Sequence, residues 1–277
     1  MTESRWGGGW TRTKLDILAA YLDAYTRVLK KKRGLKLWYI DAFAGTGTVV
    51  LEDEEGLAFL DGSAQIALDA RDRHFDRLIF IERDDNKADQ LERLPHLPPQ
   101  EVVVRRGDAN REVHQICGST NWRSTRAVAF IDPFATQTDW ATIAALAATE
   151  AVDTWILFPV QAIRRMLPND ALPDSISPHW AGHLDRIFGD DSWRGLYSPS
   201  PQFSMFDDRA MVAERGFEGI VTLYRKRLET VFTHVAPQSR RLVNQRGSPL
   251  FEFMFAAGNP KGGKIAVRIA GHILDNL

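Results

Sequence analysis

The sequence predicts an α/β fold in which a mostly parallel sheet is covered by helices on both faces, and two observations carry that prediction. Short apolar runs rich in β-branched and aromatic residues alternate with helical periodicity through residues 35–159, the pattern of right-handed strand–helix–strand crossovers. The runs are almost continuously hydrophobic, as strands must be when both faces of their sheet are buried. A chain of 277 residues with 44% hydrophobic side chains can bury a large core as one domain with an appendage.

Residues 1–34 read as an N-terminal arm and a helix. The opening MTESRWGGGW is an arm, and from Thr13 to Arg33 the residues Leu15, Leu18, Tyr21, Leu22, Tyr25 and Leu29 recur at three- and four-residue steps. The basic end Lys30-Lys31-Lys32-Arg33 complements the negative end of the helix dipole or contacts phosphate. The core, 35–159, holds five strand-like runs at 35–43, 77–83, 101–106, 127–134 and 152–159. Helical segments follow at 63–73, 84–94, 110–117 and 139–149, after an insertion at 48–61. Residues 160–248 read as a mostly helical insertion, with 160–209 supplying substrate contacts or a lid and 210–235 a long helix. Within 249–277, PLFEFMFAAG returns as a late strand to the main sheet and a last helix follows.

Composition narrows the function. With 35 Lys and Arg against 36 Asp and Glu, the chain has no global basic field, although a local basic face stays open. Cys117 is the single cysteine, which excludes a disulfide framework and a cysteine metal cage and leads to the expectation of a reducing cytoplasm. The opening residues lack an apolar leader and no run reaches membrane-spanning length, so no membrane partner is expected. His179 and His183 stand four apart without an HExxH pattern, and no metal is expected; no GxSxG elbow marks a serine nucleophile.

In a sheet of this kind, ligands lie at the carboxyl ends of the strands. There the sequence places Asp41 with Gly45 and Gly47, then Glu82, Asp108 and Asp132-Pro133-Phe134. The glycines allow a tight turn with close backbone approach to a ligand. The third glycine of a dinucleotide fingerprint and the Gly-Lys-Ser/Thr of a P-loop are both absent. S-adenosylmethionine (SAM), which has no phosphate and carries an amine and a sulfonium, suits an acid beside a glycine turn better. Glu82 is placed to accept from ribose hydroxyls, or is a solvated strand end. Asp108 reaches an adenine amine or, with Asn110, caps the following helix. Phe43, Arg83 and Ala109 complete the expected cofactor set. Asp132 is placed to orient or deprotonate a methyl acceptor, Pro133 to stiffen the turn and Phe134 to stack on a flat substrate. Lys14, Trp140 and Arg164 are candidate substrate contacts, each with a structural alternative.

At these residues the chain resembles class I SAM-dependent methyltransferases and, more closely, the three-Cys-motif partner protein family. The resemblance runs through TKLDILAAYLDAY, YIDAFAGTG, DGSAQIAL, FIERD, GDAN, FIDPFA with Trp140, VDTWILFP with Arg164, and LFEFMFAAGNPKGGKI. It implies a Rossmann-like methyltransferase sheet, a SAM site at Asp41, Gly45, Gly47, Glu82 and Asp108, and a protein partner encoded nearby. Asp132-Pro133-Phe134 also looks like a shortened Asp/Asn-Pro-Pro-Tyr/Phe motif of amino-methylating nucleic-acid methyltransferases. The second proline is missing here, and Ala135 stands where the partner family has a glycine. The leading expectation is methyl transfer to a nitrogen or oxygen acceptor, including a nucleobase amine. The alternatives are a small-molecule or peptide methyltransferase, and a non-catalytic partner that binds SAM or a protein.

Overall fold

The computed structural model describes residues 9–32, 34–53, 56–70, 73–167, 173–199, 211–213 and 217–277. In chain order its elements are α1 (Gly9–Leu29), β1 (Lys36–Asp41), β2 (Thr48–Asp53), β3 (Gly56–Asp61), α2 (Ser63–Leu68), β4 (Arg77–Glu82), α3 (Asp85–Glu92) and β5 (Glu101–Arg106). There follow α4 (Ala109–Ser119), β6 (Thr125–Ile131), α5 (Trp140–Ala148), β7 (Val152–Phe158), α6 (Val160–Met166) and α7 (Pro178–Phe188). The chain ends with β8 (Tyr197–Pro199), β9 (Met211–Ala213), α8 (Phe217–Val231), β10 (His234–Val235), β11 (Arg240–Val243), β12 (Pro249–Ala257) and α9 (Gly263–Asn276).

The main sheet runs β10-β12-β7-β6-β1-β4-β5, with β11 also paired to β12. The five central strands are parallel, and β12 joins β7 antiparallel. This is the mostly parallel, Rossmann-like sheet that the alternating pattern leads one to expect. Side chains alternate between its faces. Leu37, Tyr39, Leu78, Phe80, Val128 and Phe130 pack toward α1, α2 and α9. Ile40, Ile79, Ile81, Ala129 and Ile131 pack toward α4, α5, α7 and α8. Asp41 stands level with Phe80 and Phe130 in the strands on either side, so β1, β4 and β6 open onto one rim.

The N-terminal helix starts earlier than its periodicity indicates. Gly9–Thr11 belong to α1 rather than to an arm, and Thr11 and Lys14 are buried at its first turns; residues 1–8 lie outside the described set. Helix α2 stops at Leu68, shorter than 63–73. The insertion at 48–61 is an antiparallel hairpin, β2–β3. The long helix expected over 210–235 gives way to a strand at Met211–Ala213 followed by α8. Of the 160–209 insertion, 168–172 and 200–209 lie outside the described residues. Among the described residues, no helix is long and apolar enough to cross a membrane.

Candidate functional site

A cleft of about 920 Å³ lies across the carboxyl ends of β1, β4, β5 and β6, within the range of small-molecule sites. It brings together Phe43, Gly45, Glu82, Arg83, Asp108, Ala109, Asp132 and Phe134 from the strand-end candidates. It adds Asp84, Lys87, Asn110, Thr136, Gln137, Asp139, His183 and Arg186.

The glycine turn is tied directly to the next strand. The Gly45 amide donates to Glu82 Oε2 at 3.1 Å, while Glu82 Oε1 accepts from the amides of Arg83 at 2.8 Å and Asp84 at 2.9 Å. Glu82 is therefore the clasp of the turn as well as a cleft wall. Gly45 has φ +65° and open space where a Cβ would stand, so its backbone is exposed to whatever occupies the cleft. Gly47, with φ +80°, serves packing instead. A Cβ there would lie 2.9 Å from Leu94 Cδ1, and the residue does not line the cleft.

Asp41 departs from the expected role. It is fully buried beneath the turn, where Oδ1 accepts from the Phe43 amide and Oδ2 from the Tyr39 hydroxyl, both at 3.2 Å. Burial pushes its carboxyl from 3.8 up to about 7, against the hydrogen bonds of Ser63, Phe43 and Tyr39 and with the charge of Asp132 adding to the rise. Asp41 shapes the loop from below, and Phe43 and Gly45 meet the cleft. Asp108 takes the capping alternative, accepting from the Arg111 amide at 3.1 Å at the start of α4 while still lining the cleft.

Asp132 is ion-paired to Lys14, with side-chain exposures of 20% and 9%. The Lys14 ammonium also lies over the Trp10 ring, 5.2 Å from its centroid. Lys14 thus enters the site through Asp132. Pro133 is buried behind the turn, whereas Phe134 is 69% exposed on the cleft wall. Ala135 has φ +60°, a left-handed conformation costly for a residue with a Cβ. The strained turn is held by Asn110, whose Nδ2 donates to the Gln137 carbonyl at 2.9 Å and whose Oδ1 accepts from the Asp139 amide at 3.0 Å and Thr142 Oγ1 at 2.7 Å.

Two candidate substrate contacts sit elsewhere. Trp140 is buried, packed edge-on against Tyr224 at 5.9 Å and under the Arg227 guanidinium, so it serves the core. Arg164 donates to the Leu167 carbonyl at 3.1 Å at the end of α6 and is not among the cleft residues. Conversely, His183 and Arg186 reach the cleft from α7, some fifty residues beyond the Asp132 turn. The only sequence signal for them is the His179/His183 spacing, which raises the question of a metal rather than of a cleft wall.

No family model matches the chain, and no curated protein matches it. Among solved structures, it is similar to a Legionella pneumophila (strain Philadelphia 1) protein of the family DUF519. The two share 12% identity over 94% of this chain and 90% of the other, with a TM-score of 0.54. It also superposes on a proposed S-adenosylmethionine-dependent methyltransferase from Listeria monocytogenes, at 12% identity over 87% of this chain and 98% of the other. The TM-score of that superposition is 0.41. The Legionella structure shows the fold alone.

Proposed function

We propose that this protein is a SAM-dependent methyltransferase acting on a nitrogen or oxygen acceptor. The observation that carries the reading is the single cleft joining the Gly45 turn, Glu82 and Asp108 to the Asp132-Pro133-Phe134 turn. Its donor set fits the cofactor: an open backbone at Gly45, acids at the ends of two neighbouring strands, and volume for a nucleoside with a side arm. SAM, when bound, supplies an activated methyl group on a sulfonium. Phe43 and Gly45 would lie against it, with Glu82, Arg83, Asp108 and Ala109 at its nucleoside end.

Asp132 would accept a hydrogen bond from the acceptor's N–H or O–H and fix the direction of its lone pair. Paired with Lys14, that carboxylate has its charge compensated from outside the cleft, which suits an orienting role. The exposed ring of Phe134 offers a stacking surface for a flat acceptor. Catalysis would then come mainly from positioning.

A second reading, a non-catalytic SAM- or protein-binding partner, is favoured by one observation: Glu82, Asp108 and Asp132 all have partners within the protein. Calorimetry with S-adenosylhomocysteine tests the cofactor, and absence of binding overturns both SAM readings. Transfer of radiolabelled methyl groups, lost in Asp132→Ala with S-adenosylhomocysteine binding retained, separates the enzyme from the silent partner.

A further inference from the structure

We infer that Thr136 is a specificity-determining residue of the acceptor half of the cleft, its hydroxyl held by His183 so that its proton is offered to a carbonyl oxygen or ring nitrogen of the acceptor. This rests on the methyltransferase reading for the word "acceptor", but the hydrogen-bond logic stands on geometry alone. Arg186 NH2 lies 2.7 Å from His183 Nδ1, and Thr136 Oγ1 lies 2.7 Å from His183 Nε2. A guanidinium only donates. Nδ1 must therefore present its lone pair, and in a neutral imidazole the proton then resides on Nε2. Nε2–H is then the ring's one donor toward Thr136, shared between Oγ1 and the main chain, which leaves the threonine hydroxyl proton to be donated in turn.

Among the described residues no protein group accepts that proton, and Thr136 lines the cleft two residues beyond the exposed ring of Phe134. The groups around the imidazole support the neutral form. Burial and the charges of Arg186 and His179 hold its pKa below the ordinary histidine value, opposed by a hydrogen bond to the Thr136 main chain and by the charge of Asp139. Asp139 Oδ1 lies 3.6 Å from Arg186 Nε, an opposite charge beside the guanidinium that faces the ring. The relay thus runs from Asp139 through Arg186 and His183 to Thr136 and joins α7 to the Asp132 turn.

The result is a chemical demand on the ligand. A purely apolar ring could stack on Phe134 but would leave the Thr136 donor without a partner, whereas a ring bearing a carbonyl or an unprotonated nitrogen satisfies both groups.

Two measurements test this. Nitrogen-15 NMR of the imidazole in the intact chain should show a proton-bearing Nε2 and a pyridine-type Nδ1 at His183, with the preference relaxed in Arg186→Gln; a proton on Nδ1 in the wild type overturns the relay. Binding of benzamide and of ethylbenzene is then compared in the presence of S-adenosylhomocysteine. Wild type should prefer benzamide, and Thr136→Val should reduce that preference by about fivefold, the worth of one hydrogen bond. Thr136→Ser should restore it. No preference in the wild type, or an equal preference in Thr136→Val, overturns the inference. Loss of S-adenosylhomocysteine binding, measured separately, would instead sink the methyltransferase reading and leave the NMR result intact.

Discussion

Replacing Lys14 with methionine isolates the pair that anchors the candidate catalytic turn. Methionine keeps most of the apolar stem and its contact with Trp10 while removing the ammonium that faces Asp132. Exposed pairs contribute about 0.2–1 kcal/mol, whereas breaking a buried pair by removing one partner costs about 3–5 kcal/mol. With exposures of 9% and 20%, this pair lies nearer the buried limit. A cost of about 2–3 kcal/mol is therefore expected for Lys14→Met, because Asp132 is left uncompensated. Asp132→Asn alone strands the lysine in the same way. The double variant strands neither charge, so urea unfolding of all four proteins should give a coupling energy of at least about 1.5 kcal/mol. If Lys14→Met costs less than about 0.5 kcal/mol, or if the two changes simply add, the pair does not hold the turn and its proposed orienting role falls.

Three further outcomes are expected. Asp153, buried against Tyr21 through a 2.8 Å hydrogen bond, has its carboxyl pushed by burial from 3.8 up to about 7. The folded state then binds a proton that the unfolded state has released, so stability is fullest below about pH 4 and is lost as pH rises toward 7. Asp153→Asn, which can still accept from Tyr21, should gain up to about 3 kcal/mol on wild type between about pH 5 and pH 8 in denaturant unfolding; a pH-independent difference contradicts this. Gly189→Ala places a Cβ 2.0 Å from Trp140 Cδ1 at φ +83° and should cost about 3 kcal/mol or more, read as a lowered melting temperature. Ala135→Gly removes left-handed strain of about 1–2 kcal/mol against an unfolded-state entropy cost of about 0.4–1 kcal/mol. It should leave stability unchanged or slightly raised, and a clear loss in denaturant unfolding would show that the turn is not strained.

The central strands were legible because burial on both faces leaves almost continuous apolar runs, as in Leu78–Ile81 and Val152–Phe158. The edge of the sheet was not. β11 carries Arg240 and Arg241, and β10 is two residues long, so neither has a pattern of its own; both exist because β12 offers a long partner. The hairpin at 48–61 reads as an insertion since its pairing lies wholly within itself, away from the main sheet. Residues that follow strand ends meet in one cleft because topology dictates where strand ends lie. Asp41 was misplaced for a reason the same topology explains: its side chain lies under the turn, bonded to Tyr39 and to the Phe43 amide, while Phe43 and Gly45 reach the cleft. Trp140 takes the core alternative and His183, raised by its spacing only as a metal question, reaches the cleft, because side-chain direction on α5 and α7 follows from helix packing that spacing alone does not encode.

The partners of the cleft acids also bear on what kind of chemistry the cleft suits. Glu82 receives three backbone amides, Asp108 caps a helix and Asp132 faces an ammonium. Each carboxylate is held in place by groups behind or beside it, so none has to move to become organised when a ligand arrives. Such fixed acceptors are suited to holding a polar ligand in one orientation, since the cost of arranging them was met on folding. Asp41, its carboxyl lifted by burial to about 7, is sealed beneath the turn and cannot exchange protons with a ligand directly. An N–H or O–H acceptor that loses its proton gives it to a group lining the cleft, such as Asp132, or to solvent, and the effect of Lys14→Met on transfer as well as on stability distinguishes an orienting Asp132 from a proton-accepting one: a carboxylate that only orients loses rate because its aim loosens, with no change in the pH profile.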